Sequence, residues 1–358
     1  MNGIERRKLE HLDLCIERDV EARATNLLEE VHLIHEAIPE LAWDQVDPSL
    51  TLLGRRLRLP LLVSGMTGGA ERAREINLAL AEMAQKLGLG MGLGSQRAML
   101  HDPDAAASYR VREVAPDILL LANLSVVQAR EVGVARVAAL VEAVGADGIC
   151  IHFNVAQELV QDEGDRDFRG ALETLAELVD GLAVPVIAKE TGCGFGPRTL
   201  ARLAAARVAA VDVSGRGGTS WTAVEAERGS ERQRLLGSAL REWGVPTAAS
   251  IVYARRAGLP VIASGGIRTP LDIVRSLALG ADAVSLALPF LRAFAEGGRG
   301  ALLSHAERLA EGLQSLMLLV GARELKELPD IPRVLGPSLK AWLGPLNRAP
   351  SGGDDERE

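Results

Sequence analysis

Eight short apolar runs recur along this chain: Leu61 to Met66, Leu87 to Leu93, Ile118 to Leu124, Gly148 to Asn154, Val184 to Glu190, Val208 to Gly215, Leu259 to Gly266 and Ala283 to Pro289. Each is continuous rather than alternating, as a parallel strand covered on both faces requires. Ala- and Leu-rich segments of helical period stand between most of them, such as Ala73 to Gln85, Val134 to Val144, Gly170 to Val179 and Arg198 to Ala206. Eight alternating βα units predict an α/β fold, a (β/α)8 TIM barrel, with a Rossmann-like open sheet as the weaker alternative. The barrel is placed at 60–345, after a charged helical extension over 1–59 and before an acidic tail, 346–358, expected to be disordered. Roughly 45 residues separate the sixth and seventh runs and carry ERGSERQRLL with Trp221 and Trp243. A long βα loop there is placed to cover a pocket.

With 358 residues, 47% of them hydrophobic, the chain can build one large domain with additions. A formal net charge of −8 excludes general binding to nucleic acid or a membrane surface, which need a basic face. An anionic ligand must then be met by a local basic cluster. Cys15, Cys150 and Cys193 lie far apart with no C-x-x-C spacing, so neither a disulfide framework nor a zinc site is indicated. The N-terminus has no apolar core of an export signal and no run of 18 apolar residues occurs, which predicts a cytoplasmic protein with no membrane partner.

In such a barrel the chemistry sits where strands end, and here those ends are polar or glycine-rich. After the seventh run, Gly265-Gly266 bring backbone close to a ligand, Thr269 is placed to N-cap a helix, Pro270 takes its first position and Asp272 its third. Turn N–H groups, the helix dipole and Arg268 would converge there on a phosphate monoester; a plain barrel turn is the alternative. Lys189 ends the fifth run inside the barrel, where an ammonium needs a partner. It suits the N1/C2 carbonyl edge of a reduced flavin, with an ion pair to Glu190 or Asp212 and a Schiff-base nucleophile as other readings. Asn123, Ser95, Ser214, Thr219 and the backbone at Met66-Thr67 offer the donors and acceptors a flat heteroaromatic needs. After the fourth run, His152 and Asn154 share a strand face and Glu158 follows Gln157. One carboxylate with water and substrate phosphates is how Mg²⁺ is usually held. Arg6-Arg7-Lys8 with His11, and Arg97, could meet a diphosphate or form a solvated helix face. Cys193, in KETGCGFG, reads as small packing rather than a nucleophile.

These residues together resemble a known family. R-K-x-x-H at Arg7 to His11, MTGG at Met66 to Gly69, GSQR at Gly94 to Arg97, H-x-N-x-x-Q-E at His152 to Glu158, EGDRDF at Glu163 to Phe168, Lys189-Glu190, VDVSGRGGTSW at Val211 to Trp221 and GGIRT at Gly265 to Thr269 are similar to type 2 isopentenyl-diphosphate Δ-isomerases, which are FMN-dependent. The likeness runs from about Arg6 to Leu328. It implies FMN contacts from Gly65, Met66, Thr67, Ser95, Asn123, Lys189, Ser214 and Thr219, with the phosphate held around Gly266, Ile267, Arg268, Ala287 and Leu288. It implies substrate contacts from Arg7, Lys8, Ser95, Gln96, Arg97, His152, Asn154 and Gln157, and Mg²⁺ on Glu158. Val155 and Ala156 stand where some members have Pro, Asp162 replaces the Pro of QPEGDRDF, and Cys193 alters the turn after Lys-Glu, so loop shape near the substrate is a point of departure.

The resemblance further implies that reduced FMN serves as the acid and base of an allylic proton shift, with Lys189 keeping the flavin anionic and Gln157 orienting the alkene. NADPH then only primes the flavin, and a homotetramer or octamer is expected. The rival is an FMN-dependent barrel oxidoreductase acting on a 2-hydroxy acid or another phosphorylated substrate. A 2-hydroxy-acid oxidase would need a histidine base late in the barrel, and no His occurs between His152 and His305. A non-enzymatic FMN sensor or scaffold is the remaining alternative.

Overall fold

The eight apolar runs close into a cylinder. In the computed structural model, which describes residues 3–346, they form β1 (Leu61–Val63), β2 (Gly90–Gly92), β3 (Leu120–Ser125), β4 (Gly148–Phe153), β5 (Val186–Glu190), β6 (Ala210–Asp212), β7 (Val261–Ala263) and β8 (Ala283–Leu286). Neighbours in sequence pair in parallel, and Ser285 of β8 registers with Leu62 of β1 to complete the barrel. Every strand residue except Phe153 is buried, which explains the absence of alternation in the sequence.

The helices are α1 (Gly3–Glu17), α2 (Glu71–Leu87), α3 (Arg97–His101), α4 (Val126–Val144), α5 (Val155–Val160), α6 (Ala171–Gly181), α7 (Pro197–Ala205), α8 (Trp221–Arg228), α9 (Glu231–Ala239), α10 (Thr247–Arg256), α11 (Pro270–Ala278), α12 (Leu288–Leu319) and α13 (Pro337–Leu343). Among the described residues none is long and apolar enough to cross a membrane. A hairpin of Leu50–Leu52 and Arg55–Leu57 plugs one end of the barrel, where Leu52 and Leu57 pack with Leu62, Leu121, Ile187 and Ile262. That floor leaves the carboxyl ends of the strands as the open end.

The segment before the barrel departs from the helical expectation. Only α1 is an α-helix; beyond it Val31–Leu33 pairs antiparallel with Arg333–Leu335, and the floor hairpin follows. Pro39 and Pro48 lack backbone donors, and Val31, Leu52 and Leu57 bury their side chains against distant parts of the chain rather than along one helix face. The long connection after β6 is also not a loop. It folds into α8 and α9 before the crossover helix α10, and Ser230 with Gln233 forms a capping box at the start of α9. From residue 347 onward the expected acidic tail lies outside the described residues.

Candidate active site

All the strand ends named above open into one cavity of about 1520 Å³, counting its open mouth. It is lined by Gly65, Met66 and Thr67 after β1, Ser95 and Arg97 after β2, Asn123 of β3, His152 and Asn154 of β4 and its end, and Lys189 of β5. Ser214 and Thr219 follow β6, Gly266, Ile267 and Arg268 follow β7, and Ala287 and Leu288 follow β8. Arg7 and Lys8 enter from α1, and Gln157 and Glu158 from α5. Gln96 is a correction. It is fully buried away from the cavity, its amide donating to the Leu140 carbonyl at 3.1 Å and accepting from the Asn123 N–H at 3.1 Å. It braces the strand end that carries Asn123 and does not line the cavity.

One half of the cavity is built from backbone. Gly265 and Gly266 take φ of +103° and +72°, and a Cβ at Gly218 would lie 2.4 Å from the Gly266 nitrogen, so two turns meet main chain to main chain. Thr269 Oγ1 accepts from Asp272 N at 3.1 Å and Asp272 Oδ2 accepts from Thr269 N at 3.0 Å, the box expected from the sequence. Asp272 also takes the Arg268 N–H, which leaves the preceding turn and the start of α12 to face an anion. The N-terminal segment reinforces this wall. Asn26 Nδ2 donates to the Gly266 carbonyl at 2.8 Å, and Glu21 pairs with both Arg268 and Arg292. Lys189 pairs with Asp212 at 2.7 Å across adjacent strands, and Ser264 Oγ donates to the other Asp212 oxygen. Glu190 points elsewhere: it accepts the N–H groups of Thr191, Gly192 and Gly194, and burial raises its carboxyl to about 7. Thr67 Oγ1 is buried in the same cavity with no protein partner. A planar heteroaromatic bearing a phosphate fits these features: an anion cradle of glycine backbone, a buried ammonium and a buried hydroxyl with no protein partner.

The other half is made of side chains. His152 Nδ1 lies 2.7 Å from Asn123 Oδ1. Burial first, then the charges of Lys189 and Lys8, lower the imidazole to about 3, so it is neutral. Because Asn123 Oδ1 can only accept, Nδ1 carries the proton and Nε2 is left as an acceptor. Lys8 is lowered to about 7 by burial and by Arg7 and Arg97. Glu158 is buried and its oxygens accept from Asn154 Nδ2 at 2.8 Å and Asp165 N at 2.9 Å, leaving lone pairs for a cation. Among the described residues no cluster of three or more His, Cys, Asp or Glu forms a metal cage. Burial pushes the Cys193 thiol up, against any role as a thiolate.

Sequence reasoning missed the group at the centre of this half. Glu225 on α8 is fully buried; its Oε1 accepts from Gln157 Nε2 and Gln161 Nε2, both at 2.9 Å, and stands 2.9 Å from His11 Nε2. Its Oε2 accepts from Arg228 at 2.6 Å. Burial opposes its ionisation, but these donors together hold it down at about 2. Trp221, one helical turn before Glu225, lines the cavity and meets the His11 ring edge-on at 5.2 Å. The spacing Trp221, Glu225, Arg228 marks one helix face and was the available signal.

Fold and site define an FMN-dependent barrel enzyme. The family model for FMN-dependent dehydrogenases matches residues 153–332. Solved structures of mandelate oxidase with (S)-2-phenylpropionate (19% identity, TM-score 0.63, 93% of this chain and 97% of that one) and of a flavocytochrome b2 variant with benzoylformate (19%, 0.66, 97% and 83%) share its fold. Isopentenyl-diphosphate delta-isomerases are more similar in sequence: that of Pyrococcus abyssi is 43% identical over 347 residues, 94% of each chain, and that of Methanosarcina mazei 42% over 341 residues, 94% and 93%. The chain belongs to the isopentenyl-diphosphate delta-isomerase family, in its FMN-dependent type 2 branch.

Proposed function

We propose that this chain interconverts isopentenyl and dimethylallyl diphosphate with FMN and Mg²⁺ by an allylic proton shift. One observation carries the reading: a single cavity joins the glycine-backbone cradle and Lys189 to the basic residues Arg7, Lys8 and Arg97 and the carboxylate of Glu158. His152 is neutral with a pKa of about 3, Glu225 is committed to its donors at about 2, and Lys189 is paired with Asp212. When bound, reduced FMN supplies the acid and base. Lys189 favours negative charge on the pyrimidine edge, its own charge moderated by Asp212. Gln157, its amide fixed by Glu225, orients the alkene. Arg7, Lys8 and Arg97 would neutralise the diphosphate, Glu158 would hold a Mg²⁺ that adds to that neutralisation, and Trp221 with Met66 would exclude water from the five-carbon end. NADPH is the proposed reductant that primes the flavin, and a homotetramer or octamer the proposed assembly. Against the oxidase reading, His305 belongs to α12, packs edge-on against Phe290 and does not line the cavity. The test is proton NMR of the isomerisation in deuterium oxide. Turnover is expected only from reduced protein with Mg²⁺; equal turnover by oxidised, metal-free protein overturns the proposal.

A further inference from the structure

Tyr109 takes no part in the reaction described above and does not line the cavity, yet its hydroxyl reaches the wall of the anion-binding half. It ends the 3-10 segment Pro103–Tyr109 and is fully buried. Its ring fills the space over the turn after β1, where a Cβ on Gly68 would come within 2.0 Å of a ring carbon. The hydroxyl donates to the Ser95 carbonyl at 2.7 Å and accepts from Lys8 Nζ at 2.7 Å. Lys8 Nζ donates to the same carbonyl at 2.8 Å. Three groups from α1, the turn after β2 and the 3-10 segment thus form one closed hydrogen-bonded ring. An ammonium has three protons. Two are held in this ring, and the third remains for an anion in the cavity.

The arrangement matters because an untethered lysine loses side-chain entropy when a ligand immobilises it. Here that ordering is done in advance. The charged and titratable groups facing Lys8 are Arg7 on its own helix, Arg97 on α3, Tyr109, and His152 from β4. The two arginines repel the ammonium, whereas the Tyr109 oxygen accepts from it and favours its charged form.

We propose that Tyr109 is a positioning residue for the diphosphate: through its hydroxyl it holds Lys8 ready for the anion and ties that arm to the turns after β1 and β2. The identity of the anion rests on the isomerase reading. Tyr109→Phe keeps the ring over Gly68 and removes only the hydroxyl. In reduced, FMN- and Mg²⁺-loaded enzyme this variant is expected to raise KM roughly tenfold, the size of one hydrogen bond to a charged group, with kcat changed less than about twofold. The alkaline fall of kcat/KM should begin at lower pH. Added to Lys8→Met, Tyr109→Phe should change KM less than about twofold, because its effect runs through Lys8. Calorimetry of inorganic pyrophosphate with Mg²⁺, on oxidised FMN-loaded protein, reads the same tether without turnover. If the wild-type protein binds pyrophosphate but does not isomerise, and Tyr109→Phe weakens binding only while Lys8 is present, the isomerase reading falls and the tether stands. Undiminished pyrophosphate binding by Tyr109→Phe, an equal loss with Lys8→Met already in place, or no pyrophosphate binding by the wild-type protein overturns the tether.

Discussion

Lys8 sits among Arg7, Arg97 and a buried tyrosine, and its ammonium is lowered from the ordinary lysine range to about 7 by burial and the two guanidinium groups. In the proposed function its charged form attracts the diphosphate, so as pH rises through 7 the free protein loses that charge and anion capture weakens. A profile of kcat/KM, which reports free-enzyme ionisations, is expected to fall above about pH 7, and Lys8→Met should abolish this limb. For His152 the sign is opposite and concerns stability. The unfolded chain takes up a proton near 6.5 while the folded imidazole resists it down to about 3, so stability is present above 6.5 and is lost as pH falls toward 3. Chemical denaturation of His152→Asn at pH 7 and pH 4.5 should show a smaller loss on acidification than in the wild-type chain. Glu158→Gln is expected to raise the Mg²⁺ concentration for half-maximal turnover by roughly tenfold or more; an unchanged Mg²⁺ dependence rejects its metal role. Lys189 and Glu158 were legible as single residues, since each is a charge at the end of an apolar run. For Lys189 the sequence left Glu190 and Asp212 as possible partners, and for Glu158 the Asp165 N–H was not read at all, because pairing across strands and loops depends on register. Gln96 shows the same limit: it sits beside Ser95 and Arg97 in sequence but faces the opposite way.

At the scale of elements, the turns after β6 and β7 behave as one unit because their glycines touch through backbone. Gly218→Ala places a methyl group 2.4 Å from the Gly266 nitrogen and should open the anion cradle without disturbing the strands. The flavin-to-protein ratio by absorbance is expected to drop severalfold while far-ultraviolet circular dichroism is unchanged. The helix that follows, α11, was readable down to its cap because Thr269, Pro270 and Asp272 encode a local hydrogen-bond pattern. The eight strands were readable for a related reason: burial on both faces leaves a continuous apolar signature. By contrast α8 and α9 read as a loop. Their short, polar sequences acquire helical order through packing on each other and on α5 and α1 rather than through an amphipathic stripe of their own.

Across the whole molecule, both termini serve the barrel from outside. Val31–Leu33 pairs with Arg333–Leu335, and Leu328 and Leu339 are fully buried beside this ribbon. Ending the chain after Asp330 removes the partner strand and the Leu339 anchor, and thermal unfolding is expected to shift down by several degrees, since a buried leucine alone is worth roughly 2–5 kcal/mol. None of this pairing was legible locally, because a three-residue strand has no signature until its partner, some three hundred residues away, is known. A separation of about two hundred residues or more likewise divides the strap of residues 19–28 from what it grips. Ala22 N–H binds the Gly218 carbonyl, Ser220 N–H binds the Val20 carbonyl, and Asn26 meets Gly266 at a separation of 240 residues. During synthesis these early residues leave the ribosome long before their partners exist. The coloured cofactor therefore has an open cup to enter until the finished polypeptide draws its own beginning across the rim.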